Sequence, residues 1–190
     1  MGDRRGAGIT HAGGRVYRPG DSLETGDLPP AGLALGDCLS PERLDLLLYH
    51  IDEGLNGIIR TIRWAYRKTT WLQPIFLNGY DYPVPDGRSF THAHGGWITT
   101  MMDEAGVNPD LGYRKEVIRR LMDAINEQVL AEFHSPIERV FHVDSRGVLS
   151  NDDSTYAQDW DNELYPSNAG FRKIIERVWF PLLKPFGIAS

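Results

Sequence analysis

A chain of 190 residues with 41% hydrophobic and 24% charged positions is large enough to bury a core and has the composition of an ordinary globular domain. A net charge of −6 argues against a nucleic-acid partner, because a phosphate backbone calls for clustered Lys and Arg. The single cysteine, Cys38, excludes an intrachain disulfide framework and a cysteine-built zinc cage, and no apolar run approaches the roughly 20 residues of a membrane helix. The segment Met1 to Gly6 carries two arginines but no apolar stretch follows it, so no secretory signal is expected. These features describe a soluble protein with no membrane partner, and the one cysteine fits a reducing, cytoplasmic compartment.

Residues 1–39 hold many glycines, the pair Pro29-Pro30 and no sustained period of 2 or 3.6, so they read as an irregular or disordered segment. Regularity begins at residue 40, and residues 40–190 read as one domain. Ser40-Pro41 is an N-cap followed by proline at the first helical position, and Leu44, Leu47, Leu48, Ile51, Leu55, Ile58, Ile59 and Ile62 form an apolar stripe at helical spacing. Gly54 and Gly57 predict a break or kink near residues 53–57. The cations Arg60, Arg63, Arg67 and Lys68, and further on Arg114, Lys115, Arg119 and Arg120, fall at helical spacing and read as solvated helix faces.

Pro74-Ile75-Phe76-Leu77 is a short apolar run bounded by Asn78-Gly79, which suits a buried strand of a parallel sheet. In such sheets ligands bind beyond the carboxyl ends of the strands. The loop that follows, residues 80–96, is rich in aromatic, proline and glycine residues and reads as a substrate-covering flap. Within it His92 and His94, near Asp81 and Asp86, leave a metal-site reading open. Trp97 to Glu104 predicts a short helix. Val117, Ile118, Leu121, Met122, Ile125, Val129 and Phe133 predict a longer amphipathic one over residues 113–133. Val140 to Asp144 reads as a second buried strand, with His142 a structural residue near its end. Ser167 or Asn168 caps a last helix that turns Phe171, Ile174, Ile175 and Val178 inward.

Two blocks stand out. Leu77-Asn78-Gly79-Tyr80-Asp81-Tyr82-Pro83-Val84-Pro85-Asp86-Gly87-Arg88 and Trp160-Asp161-Asn162-Glu163-Leu164-Tyr165-Pro166-Ser167 resemble one branch of the SGNH (GDSL-type) serine hydrolases. There the corresponding blocks read like H-G-Y-D-Y-P-V-P-D-G and W-x-N-E-L-H-P. The segment His142-Val143-Asp144-Ser145-Arg146-Gly147 is similar to an H-V-D-x-R-G stretch of the same relatives, and the likeness spans about residues 70–180. It implies an α/β fold of three-layer α/β/α type with a small parallel sheet.

The family hydrolyses an ester or acetyl group with a serine nucleophile, a histidine base, an acidic or amide orienter and oxyanion donors from glycine and asparagine, with no metal or organic cofactor. Carried onto this chain, the resemblance implies Ser22 of Gly20-Asp21-Ser22-Leu23 as the nucleophile and Asp161 and Asn162 as orienters, and it places Tyr165 where the base histidine belongs. The departures are specific. A phenol with a pKa near 10 is a poor proton acceptor at neutral pH. Pro19 stands where a buried first strand would run, and the G-x-N-D oxyanion block is missing. Ser22 therefore reads either as the nucleophile or as a turn serine.

Two function classes follow. The first is an SGNH-type serine esterase, working or weakened, with a small-molecule ester substrate. The second is a catalytically dead relative acting in binding or assembly. Loss of the family's first strands also predicts an incomplete sheet whose open edge favours self-association.

Overall fold

The first helix starts where the sequence places it. The computed structural model describes residues 39–89 and 95–188; Ser22, Cys38, His92 and His94 lie outside them. Helix α1 spans Pro41–Ala65, with Ser40 at the N-cap and proline in the first turn; the Ser40 carbonyl accepts the Leu44 N–H at 2.9 Å. It runs through Gly54 and Gly57 without interruption, so the expected break near residues 53–57 does not occur. The stripe explains why. Leu44, Leu48, Ile51, Leu55, Ile59 and Ile62 pack along the helix against two adjoining apolar clusters, and burying them outweighs up to about 1 kcal/mol of lost helix propensity per glycine.

Strands β1 (Ile75–Asn78) and β2 (Val140–Val143) pair in parallel, Ile75 opposite Val140 and Asn78 opposite Val143. The chain is thus α/β with a two-stranded parallel sheet among the described residues. Ile75, Leu77 and Val140 bury one face against α1 and the segment around Leu130. On the other face Phe76 and Phe141 stack with centroids 5.5 Å apart, and both meet Phe186 edge-on.

The two sheet edges differ. The N–H of Ile75 donates to Arg139 and that of Gly79 to Val143, both at 2.8 Å, so the main-chain groups of Phe76 and Asn78 face away from β2. No described strand pairs with that side. The far edge of β2 is occupied: Val140 and Ser135 exchange N–H···O bonds of 2.9 and 3.0 Å, and the His142 N–H donates to Nδ1 of His134.

Helix α2 (Trp97–Glu104) and helix α3 (Leu111–Ile125) follow β1. Asp110 caps α3 by accepting the Tyr113 N–H at 2.8 Å. The long helix expected over residues 113–133 is not uniform, because α3 passes into a π turn at Asn126–Leu130. Two cations expected on a solvated face of α3 are buried instead. Arg114 reaches Asn108 O at 3.1 Å and pairs with Asp103, while Lys115 reaches Asn151 O at 2.8 Å and pairs with Asp153. Long aliphatic stems let such residues lie inward once their heads find acceptors.

Beyond β2, a short helix α4 (Tyr156–Asp159) leads into the Trp160 to Pro166 loop. Helix α5 (Asn168–Ile174) is capped by Ser167, whose Oγ accepts the Gly170 N–H at 3.1 Å. It continues through a second π turn at Ile175–Trp179 into α6 (Phe180–Leu183). Ile174 joins a buried cluster with Val84, Leu149 and Trp160. Phe171 and Ile175, expected inward, are exposed and line a cavity beside the Trp160 loop instead of a closed core. No described helix is long and apolar enough to cross a membrane.

Candidate functional site

Both loop blocks singled out in the sequence meet at the carboxyl end of β1, where an open α/β sheet places its ligands. Trp160 and Pro166 form an isolated bridge that closes the second loop on itself, and the Asp161 N–H donates to the Tyr165 carbonyl at 2.9 Å. Tyr80, the second residue after β1, packs against Trp160 with ring centroids 6.2 Å apart.

Of the four residues that the resemblance offers for chemistry, the structure brings three together: Asp161, Asn162 and Tyr165. Asn162 is buried, and its Oδ1 accepts the N–H groups of Leu164 at 2.9 Å and Tyr165 at 3.0 Å. It therefore braces the main chain of the loop. Its Nδ2 is buried without a hydrogen-bond partner among the described residues. Asp161 is exposed, and its N–H closes the loop. Tyr165 is 55% exposed and lies near Tyr80, whose phenol is pushed up to about 12 by burial and further by the neighbouring Tyr165 and Asp81. At neutral pH Tyr80 is thus a hydrogen-bond donor and not a base. Ser22 lies outside the described residues, so nothing places it relative to this loop.

The remaining acids here are committed to structure. Asp81 is buried and accepts N–H bonds from Tyr82 at 2.8 Å, Gly147 at 2.8 Å and Leu149 at 2.7 Å. Burial raises its pKa, and those N–H donors act in the opposite direction. Glu163, 1% exposed, accepts from the N–H groups of Gly87 at 2.9 Å, Ile98 at 2.8 Å and Thr99 at 3.1 Å, and from the Thr99 hydroxyl. Asp159 accepts from Ser150 N at 2.8 Å and from Nζ of Lys173 at 2.6 and 2.7 Å. Arg88 ties the two loops together by donating to the Trp160 carbonyl at 2.7 Å and pairing with Asp86.

His142 is anchored elsewhere. Its Nε2 lies 3.0 Å from Oδ1 of Asn126, whose Nδ2 donates to Met122 O at 2.8 Å. The amide orientation makes His142 Nε2 the donor, and burial lowers the imidazole's pKa, so it stays neutral. A Cβ on Gly79 would overlap Oδ1 of Asn126, which fixes glycine at the end of β1. Among the described residues no three His, Cys, Asp or Glu side chains cluster as metal ligands.

Two cavities flank this strand end. The smaller, of about 160 Å³, lies between the loops and the helix after Ser167, with Tyr80, Trp160, Phe171, Ile175 and Trp179 among its walls. The larger, of about 700 Å³, opens between α1, α2 and α3 and is almost wholly apolar, with Leu55, Met101, Ile118 and Met122 in its lining. Asn78 and Tyr80 border both. Sequence reasoning passed over the smaller cavity, the Glu163 clasp and the Asn126 pair with His142. One signal was available for Glu163: Gly96, at the N-cap of α2, has no side chain to cap it, so the helix start needs an acceptor from elsewhere. No family model, curated protein or solved structure matches the chain.

Proposed function

We propose that the chain is an SGNH-type serine esterase-like protein, built on a three-layer α/β/α plan, whose hydrolysis of a small ester or acetyl group is weakened or lost at Tyr165. The observation that carries this reading is the placement of Tyr165. It stands half-exposed on a loop braced by Asn162 and by the Trp160 to Pro166 bridge, at the carboxyl end of β1. A base on such a loop would face substrate in a fixed orientation, whereas a phenol at neutral pH is almost wholly protonated and does not take the proton of a serine.

In this reading Ser22 is the nucleophile, Asp161 and Asn162 set the loop, and the large apolar cavity beside Asn78 and Tyr80 receives the carbon-rich part of the ester. Hydrolysis of a short-chain aryl ester by wild type, Ser22→Ala and Tyr165→His tests it. Slow wild-type turnover, abolished by Ser22→Ala and raised by Tyr165→His, supports the reading; blank rates for all three reject it.

A second reading, a catalytically silent relative acting in assembly, is favoured by the β1 edge, where the main-chain groups of Phe76 and Asn78 face no described strand. Unpaired edges favour pairing with another chain. Concentration-dependent association in sedimentation, abolished by Phe76→Pro without loss of the folded state, supports this reading; a monomer at every concentration rejects it.

A further inference from the structure

The amino ends of the two strands, opposite the Tyr165 loop, carry a surface of a different kind. Residues 54–80 hold Arg60, Arg63, Arg67 and Lys68 and no Asp or Glu, in a chain of net charge −6. Arg63 donates to the carbonyls of Gln73 and Glu138, which shortly precede β1 and β2. It thereby gathers the end of α1 and both strand entries into one surface. There Trp64 is 66% exposed, Trp71 60% and Ile137 92%, and Tyr66 and Leu72 are exposed as well. Large apolar side chains grouped in the open mark an interaction site.

The charge on this surface narrows the partner. Among the described residues Arg60, Arg63, Arg67, Lys68 and Arg139 pair with no carboxylate, and Glu138, next to Ile137, pairs with none of them. By contrast Arg114, Lys115, Arg119, Arg120 and Arg146 each reach an acid. A partner that brings negative charge is therefore favoured. The Arg67 guanidinium lies 4.0 Å over the Trp64 ring, and that of Arg139 5.8 Å over Trp71, so one face of each indole is already covered. Single-stranded nucleic acid, which stacks its bases on open aromatic faces, fits such rings less well. Trp and Tyr settle at the headgroup level of a bilayer, Leu and Ile reach its acyl boundary, and Arg and Lys meet anionic lipid headgroups. Those are the side chains exposed here.

We propose that this surface docks on an anionic lipid bilayer. Trp64, Trp71 and Ile137 enter the interface, and Arg67 and Lys68 meet the headgroup phosphates. The expectation of no membrane partner rests on the lack of a spanning run, and a protein lying on the bilayer surface needs none. The Tyr165 loop lies at the carboxyl end of β1 and Trp71 just before its amino end, so the docking does not depend on whether the chain hydrolyses anything.

Co-sedimentation of the full chain with lipid vesicles tests this, using phosphatidylcholine alone and phosphatidylcholine with about one-third phosphatidylserine, at about 0.1 M and 0.5 M salt. Binding to the anionic vesicles at low salt is expected to exceed that to the neutral ones by about tenfold or more, and to fall in high salt. Trp64→Ala with Trp71→Ala is expected to weaken it about tenfold, and Arg67→Glu with Lys68→Glu to abolish it. All four positions are exposed, so the thermal midpoint should be kept. Arg119→Glu with Arg120→Glu makes the same change in net charge on α3 and is expected to keep most of the binding. The proposal is overturned by a wild-type chain that binds neither vesicle, by equal binding to both, or by an α3 pair that loses as much as the Arg67 and Lys68 pair. Capture of a single-stranded oligonucleotide, or self-association, that depends on Trp64 and Trp71 without vesicle binding overturns it as well.

Discussion

Glu163 and Gly96 fit together as a clasp and its gap: the buried Glu163 carboxylate occupies the space where a Cβ on Gly96 would begin. Gly96 is the N-cap of α2 and offers no side-chain acceptor, so the carboxylate caps the helix from another loop, through Ile98 and Thr99. An anion at a helix start is favoured by the N–H groups left open there and by the helix dipole.

Gly96→Ala is therefore expected to destabilise the fold by about 1–3 kcal/mol through overpacking. Glu163→Gln, which turns an amide donor toward backbone N–H groups, is expected to cost about 1–3 kcal/mol. The two losses share one contact and should not add. Urea unfolding of both single variants and the double variant measures this. A Gly96→Ala midpoint equal to wild type would show that the carboxylate does not sit in that gap.

Gly54 and Gly57 make the opposite case, since a Cβ at either has nothing within 4 Å and both lie inside the continuous helix α1. Gly54→Ala and Gly57→Ala are each expected to raise stability by up to about 1 kcal/mol. Thermal melts would show the midpoint rising with each substitution. A fall would mean that the helix bends there in solution.

The same pair of glycines shows where sequence reading stops. The apolar stripe on α1, the two strands and the Ser167 cap were legible because each is written in a local period or a local side-chain bond. The uninterrupted course of α1 was not, because packing of Leu48 and Leu55 against residues far along the chain decides it. Arg114 and Lys115 misled for a related reason: their acceptors at Asn108 and Asn151 belong to loops that periodicity does not position. In the candidate site the sequence identified the loop of Asp161, Asn162 and Tyr165 but not that the Asn162 amide serves the loop's main chain. The cavity beside Trp160 depends on a π turn, which leaves no periodic trace.

Asp159 and Lys173 supply a pH-dependent contact. Burial pushes the Asp159 carboxyl upward, but the Lys173 ammonium, the Ser150 N–H and the charges of Lys173 and Arg177 together outweigh it and hold its pKa below the usual carboxylate value. A lowered folded pKa contributes stability that is complete above the unfolded value, near 3.9, and is lost as pH falls through the folded value. Lys173 is partly exposed, so Lys173→Met is expected to cost about 1–2 kcal/mol at pH 7. In that variant the buried acid has lost its main partner and its pKa rises, so the gap from wild type should narrow as pH drops below about 4. Urea midpoints at pH 7 and pH 3.5 check this, and a gap that widens in acid would refute it.

Tyr165→His puts an imidazole on a loop that already holds its main chain in place through Asn162. The position is exposed, so the substitution should leave the unfolding midpoint within about 0.5 kcal/mol of wild type. A histidine there is neutral above its ordinary pKa of about 6.5 and then accepts a proton from a hydroxyl. Under the esterase reading, aryl-ester turnover is expected to rise by at least about tenfold over wild type, within the range that a positioned general base supplies. The gain should appear between about pH 5.5 and 7.5 as the imidazole deprotonates, and Ser22→Ala in the same background should remove it. The protonated imidazole cannot accept the proton, so the rate must fall on the acid side; a gain independent of pH would point to a change in binding and not to a restored base. No gain at any pH in a folded Tyr165→His variant would count against the esterase reading and leave assembly through the β1 edge as the reading to pursue.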